Sequence, residues 1–130
     1  MKLLTAFLIF LSAQAAVAQC DSICEVVDTY AAYPGGNQEM MKYVRENVFG
    51  SFSDSCFPGE AIESKFVFEL TIDNQGTPLA AKLIKGTIKA ECRQQLEAKL
   101  CQMKDWIPAK KNGVAVCSIY TLPVIIEFDR

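Results

Sequence analysis

The alternation of apolar and polar positions is clearest from Lys65 to Asp73. Phe66, Phe68, Leu70 and Ile72 share one parity, and Val67, Glu69 and Thr71 the other, which predicts a half-buried strand. Asp73-Asn74-Gln75-Gly76 follows as a hairpin turn, with Gly76 suited to a positive φ, and Leu79 to Ile84 forms the returning strand. Two stretches have helical spacing instead. Met40, Val44 and Val48 recur every four residues behind the breaker Pro34-Gly35-Gly36, with Asn37 placed to cap and Glu39 in the first turn. Cys92, Leu96, Leu100 and Met103 make the apolar stripe of a second helix, Ala90 to Lys104. Gly50 to Ser55 reads as a loop, continued by Phe57-Pro58-Gly59, and a second, lysine-rich loop lies between Pro108 and Gly113. Val114 to Phe128 reads as one long strand, with Val114, Val116, Tyr120, Leu122, Val124, Ile126 and Phe128 at even positions.

The order is α-β-β-α-β. This predicts an α+β domain in two layers, with two helices packed on one face of a three-stranded antiparallel sheet. A helix separates the second strand from the third, so the last strand need not pair with the second. Gln19 to Tyr33 has no clear period and is expected to be an arm, so the domain proper spans residues 34–130.

Composition then narrows the function. The 130 residues are 51% apolar and 22% charged, enough for one core and one domain. The formal charge of −2 gives no basic excess for nucleic acid, and Arg93, Lys99, Lys104, Lys110 and Lys111 read as a solvated face. The chain has no histidine, which removes the usual general base and the Ser-His and Cys-His pairs. No G-x-S-x-G occurs, and the acid pair Glu60 and Glu63 sits in an irregular stretch. The expectation is a protein that is not an enzyme and uses no cofactor.

The N-terminus sets the compartment. Lys2, the apolar run Leu3 to Leu11 and Ala16-Val17-Ala18 have the form of a signal peptide over residues 1–18, cleaved after Ala18. The run is short against the ~30 Å of a bilayer core, so the mature chain is expected to keep no transmembrane anchor. Lipidation at Cys20 is the weaker alternative, because Val17-Ala18-Gln19-Cys20 matches a lipobox only loosely and would leave an odd number of cysteines to pair. The protein is thus expected in the periplasm or secreted, where disulfides form.

The six cysteines are Cys20, Cys24, Cys56, Cys92, Cys101 and Cys117. Cys20 and Cys24 are C-x₃-C without a matching second pair, so structural disulfides are expected rather than a metal site. Cys117 has the parity opposite to the apolar residues of the last strand, whereas Cys92 lies on a helix stripe that faces the sheet. A bridge needs Cα atoms within ~7 Å. Cys117 is therefore expected to pair not with Cys92 but with Cys20, Cys24 or Cys56.

A larger set of residues, in order, carries a resemblance. Tyr33-Pro34-Gly35-Gly36 leads a helix containing Met41-Lys42-Tyr43 and ending at Asn47; Phe57-Pro58 with Ala61 precedes the strand Phe66 to Ile72 and its turn. Met103-Lys104-Asp105-Trp106 with Pro108-Ala109-Lys110 closes the second helix, and Tyr120-Thr121-Leu122-Pro123-Val124 lies in the last strand. From Tyr33 to Phe128 this resembles the C-terminal domain of TonB, in the form common in Bacteroidetes-type bacteria. The resemblance implies the same fold. It further implies binding of an extended segment of a TonB-dependent outer-membrane receptor, or a similar periplasmic segment, by adding it as a strand to the last strand. That last strand is Val114 to Phe128, and the binding edge is expected along Ala115, Val116, Cys117, Ser118, Ile119, Tyr120 and Thr121, the stretch ahead of Pro123 with intact backbone donors, with Tyr33 and Pro34 as candidate flanking contacts. Pro123 independently marks an edge strand, since proline cannot donate to a ladder. TonB itself has a membrane anchor and a long proline-rich linker; here a signal peptide and an arm stand in their place. The alternative expectation is a secreted, disulfide-stabilised structural or adaptor protein that keeps the fold without energy transduction.

Overall fold

The central strand is β1, Glu63–Ile72, and it pairs antiparallel on both sides. On one side runs β2, Pro78–Lys85; on the other runs β5, Ser118–Glu127, so the three-stranded sheet has the order β2-β1-β5. The computed structural model describes residues 20–59 and 63–128 of the chain. The expected signal peptide, its cleavage site at Ala18 and the residues Glu60 and Ala61 lie outside the described residues.

The period-2 reading of β1 is realised. Phe66, Phe68, Leu70 and Ile72 are buried, and Val67, Glu69 and Thr71 of the other parity are only partly covered. β5 runs against β1 without a register shift, from Glu63↔Glu127 to Ile72↔Ser118. Its even residues Leu122 and Val124 are buried, and its odd residues Ile119, Thr121, Pro123, Ile125 and Glu127 are exposed. The helices α1, Asn37–Tyr43, and α2, Ala90–Leu100, contribute Met40, Leu96 and Leu100 to the same apolar cluster as the even residues of β1 and β5.

The first helix is capped one residue earlier than expected. Gly36, with φ 87, is the N-cap, and Asn37 is the first helical residue without a side-chain cap. After Tyr43 the chain widens into a π-helical turn, Val44–Val48, then tightens into a 3₁₀ turn, Phe49–Ser51. The sequence explains the widening. An apolar residue every fourth position overshoots the roughly 3.6 residues of an α-turn, so a straight helix would carry Val48 about 80° off the line of Met40. With the wide turn, Met40, Val44 and Val48 all stay at 3% exposure or less. In α2, Leu96 and Leu100 are buried as expected, but the helix ends at Leu100. Met103 reaches the core from the turn beyond it, and Cys92 is only half-buried.

The long final strand is corrected. Val114 to Phe128 is not continuous: Val114–Val116 is a separate strand, β4, which pairs with β3, Ala109–Lys111, and β5 starts after Cys117. The lysine-rich stretch read as a loop is thus a hairpin. Its turn is Asn112-Gly113, with φ 52 and 75, an Asn-Gly pair with both residues in the left-handed region that two-residue hairpins favour. The arm is also ordered by pairing. Thr29 and Ala32 bridge antiparallel to Lys110 and Ile107, and the Asn112 amide donates to Asp28 Oδ2 at 2.7 Å.

Two disulfides fasten these pieces, Cys20–Cys117 and Cys56–Cys92. Cys117 is joined to the arm and not to Cys92, as strand parity required. Cys24 and Cys101, also expected to pair, carry free thiols, which corrects the expectation that all six cysteines are bridged. Cys56–Cys92 ties the loop before β1 to the first turn of α2, beside a hydrogen bond from the Lys89 amide to the Cys56 carbonyl at 2.9 Å.

Trp106 joins the parts around the β1–β2 turn. It is 2% exposed and packs edge-to-face against Tyr33 and at a tilt against Tyr120, at ring-centroid distances of 5.4 and 4.9 Å. Its amide donates to the Gly76 carbonyl at 3.1 Å, and a Cβ built on Gly76 would lie 1.8 Å from the Trp106 carbonyl oxygen. Gly76 also sits at φ 82, where a side chain costs about 1–2 kcal/mol before any clash. Gly76→Ala is therefore expected to lose ~2 kcal/mol or more of stability, read as a fall in Tm of roughly 10 °C. The paired change Cys56→Ala with Cys92→Ala is expected to lose about 2–4 kcal/mol in denaturant unfolding, through a looser unfolded chain and a freed loop.

Candidate functional site

A three-stranded sheet has two outer edges, and here they are finished differently. At the β2 edge, the Leu83 amide donates to Glu97 Oε2 of α2 at 3.2 Å, and that carboxylate also lies 4.0 Å from Arg93. Register shifts interrupt the β1–β2 ladder near both ends. A covered, bulged edge is a poor template for another strand. The β5 edge is terminal in the sheet, regular along its length against β1, and borders no further strand among the described residues.

The direction of the β5 backbone groups follows from parity. In an antiparallel ladder, alternate residues point their N–H and C=O groups to the same side. Pro123 has no N–H to give, which suits the outward side. Cys117 shares its parity, and its carbonyl accepts the arm's Cys24 amide at 2.9 Å instead of serving β1. The opposite edge agrees. If even residues of β1 face β5, then Leu83, opposite Phe68, must point outward, and its amide does reach Glu97. The odd residues Ile119, Thr121, Ile125 and Glu127 thus hold the outward donors, and their side chains stand on the exposed face of the sheet.

A groove of 490 Å³ lies where this edge approaches the first helical segment. It is lined by Arg45, Phe49 and Gly50 on one side and Ile125, Ile126 and Glu127 on the other. Its base is apolar, with one charge of each sign at the rim. At the far end of the strand the arm closes in: Ile23, Cys24, Glu25, Val27 and Tyr30 form a smaller pocket of 280 Å³ with Glu69, Ser118 and Ile119.

The residues expected to form a binding edge fall in three different settings. Ala115 and Val116 belong to β4 and are paired with Lys110 and Ala109 of β3. Cys117 is the link between β4 and β5, bonded to Cys20 and hydrogen-bonded to Cys24. Ser118, Ile119, Tyr120 and Thr121 lie in β5, and only Ile119 and Thr121 have outward parity. The open stretch extends past Thr121 to Ile125 and Glu127, which the sequence reading omitted because it took Pro123 as the end of the usable donors. Outward parity removes that objection, since a proline there leaves its neighbours' donors intact. Tyr33 lies against Trp106 and Tyr43, with Pro34 beside it at a separate polar pocket that Lys42, Glu46 and Lys104 also line.

The ionisable groups show no catalytic arrangement of note among the described residues. Burial raises the Tyr120 hydroxyl above its ordinary pKa, and burial, then the neighbouring Tyr43, Asp105 and Glu39, raises that of Tyr33, so both stay protonated. No group of three His, Cys, Asp or Glu gathers to hold a metal among the described residues. No family model, no curated protein and no solved structure matches the chain.

The parity assignment can be checked with two adjacent isoleucines. Ile125→Pro removes an outward donor and is expected to leave Tm within a few degrees. Ile126→Pro removes a ladder donor opposite Ser64 and is expected to lose ~3 kcal/mol, by analogy with proline inside other regular structure. Ile126→Ala accounts for the lost side chain, and thermal unfolding of the three variants decides the matter.

Proposed function

We propose that this protein is a binding module of the bacterial periplasm that takes up an extended segment of an outer-membrane transport component as a fourth strand beside β5. The supporting observation is the difference between the two sheet edges: Glu97 accepts an outward amide of the β2 edge, whereas β5 is regular and borders no further strand among the described residues. An added strand would find outward donors and acceptors at Ile119, Thr121, Ile125 and Glu127. Alternate side chains of that strand would meet the groove of Phe49 and Ile126. The TonB-like order of residues from Tyr33 to Phe128 supports the same reading, and the signal-peptide form of residues 1–18 and the two disulfides fit an oxidising compartment outside the cytoplasm. Among the described residues no helix is long and apolar enough to cross a membrane.

Main-chain bonds supply most of the hold in strand addition, and side-chain pockets supply the choice of sequence. A second reading, a secreted adaptor that keeps the fold but not the receptor partners, draws on the dense sulfur bridging of so small a chain.

Titration of synthetic periplasmic segments of TonB-dependent receptors against the exported protein separates the two. Saturable binding is expected, lost at least tenfold in Ile125→Pro with Tm preserved and retained in Ile125→Ala. An adaptor of the second kind binds none of the segments, and Ile125→Pro binding as tightly as the parent removes β5 as the receiving edge.

A further inference from the structure

Three cysteines meet through the arm and the chain between β4 and β5. Cys117 is bonded to Cys20, and the unbonded Cys24 lies four residues along the same arm. The Cys24 amide donates to the Cys117 carbonyl at 2.9 Å, which brings the two backbones into contact. A disulfide needs Cα atoms roughly 4.4–6.8 Å apart, a separation within reach of two residues joined by a backbone hydrogen bond. Cys24 is only half-covered, and its Sγ donates to the Val26 carbonyl at 3.1 Å, an exposed bond that one side-chain rotation gives up.

We propose that Cys20–Cys117 is an exchangeable disulfide and that Cys24 is its resolving thiol, so that the arm carries two alternative bridges to the same acceptor, Cys117. The step is a thiol–disulfide exchange. The Cys24 thiol gives its proton to solvent, and its sulfur lone pair attacks Cys117 Sγ. The new bond Cys24–Cys117 forms as the Cys20–Cys117 bond breaks, and the leaving pair goes to Cys20 Sγ, which takes up a proton from solvent. One bond replaces one bond and one thiol replaces one thiol, so no oxidant or reductant is consumed.

The two bridges are nearly equivalent as constraints on the unfolded chain. The first spans a sequence separation of 97, and the second is shorter by only the residues between Cys20 and Cys24, a change to which loop entropy is almost blind. The native states differ in where the arm is held. Bonded through Cys24, the arm is stapled where its backbone already contacts Cys117, and residues 20–23 are released with a free thiol on Cys20. Cys101 takes no part. It lies at the end of α2, and burial, then the carboxylate of Glu97, holds its thiol above the ordinary pKa.

The exchange is tested on the full-length exported protein by bridge mapping. Native protein is held at about pH 8, where thiolates form readily, then acid-quenched, alkylated and digested without reduction. The expected result is a mixture of Cys20–Cys117 and Cys24–Cys117 peptides, with the alkyl label divided between Cys24 and Cys20. In Cys20→Ser the expected bridge is Cys24–Cys117, with Tm within a few degrees of the parent; in Cys24→Ser the bridge stays wholly Cys20–Cys117. The proposal is overturned if the parent keeps all its label on Cys24 and Cys101, or if Cys20→Ser leaves both Cys24 and Cys117 labelled. A Cys20–Cys24 bridge with labelled Cys117 also overturns it.

Discussion

The contact between Gly76 and Trp106 is the constraint around which the remaining pieces are arranged. The β1–β2 hairpin must present a bare backbone at its turn, because the Trp106 carbonyl occupies the space a Cβ would need. Asp73 shapes that turn by accepting the amides of Gln75 and Thr77 on Oδ1, at 2.8 and 2.9 Å. On the other side, Asp105 takes a φ of 66 and turns the chain out of the α2 region, so that Trp106 enters the core while the Ile107 amide and carbonyl reach Ala32. One dipeptide thus touches the hairpin turn, the arm and, through the Trp106 ring, Tyr120 of β5. Segments distant in sequence meet here through a close backbone contact together with the buried Trp106 ring, and such close packing tolerates little displacement.

The parts of this fold that were legible in the sequence are those with a strong local period. β1 and its turn could be read because Phe66, Phe68, Leu70 and Ile72 alternate without exception and a glycine closes the turn. The two helices could be read from their stripes, although the spacing of four in Met40, Val44 and Val48 already called for a wider turn than an α-helix provides. The missed elements were short. Ala109–Lys111 is a three-residue strand with two lysines, which hides its period, and the signal for it was the Asn112-Gly113 pair in its turn. Val114 to Phe128 read as continuous because even parity persists across Cys117, which breaks the ladder by being tied sideways to the arm.

The proposed site was legible only in outline, for a related reason. Pro123 marks an edge, yet proline alone does not tell which side of the strand it faces. The direction came from tertiary contacts: Cys24 on the Cys117 carbonyl and Glu97 on the Leu83 amide. Neither has a sequence signature. Glu97 sits one turn after Arg93 on α2 and reads as half of an ordinary surface ion pair, worth little by itself. In the folded chain its carboxylate meets a sheet edge, and the same side chain that looks like solvation becomes a cap on an exposed donor.

This cap and the arm divide the sheet's periphery unequally, and the β5 edge borders no further strand among the described residues. Open edges invite pairing with any available strand, and proteins commonly blunt them with charge, proline or a covering segment. Here the β2 edge is blunted by Glu97 and register shifts, while β5 carries only Pro123 near its middle and the arm at its Cys117 end. The arm is held there by the Cys20–Cys117 bridge and the Cys24 amide, and farther along by backbone pairing to Lys110 and Ile107 and by Ala31, which joins the core; Ile23, Val26 and Tyr30 remain exposed. The core belongs to the helices and the inner face of the sheet, and the second bridge, Cys56–Cys92, serves that side. The two disulfides therefore act in different places: Cys56–Cys92 ties the loop before β1 to α2, and Cys20–Cys117 ties the arm to the start of β5.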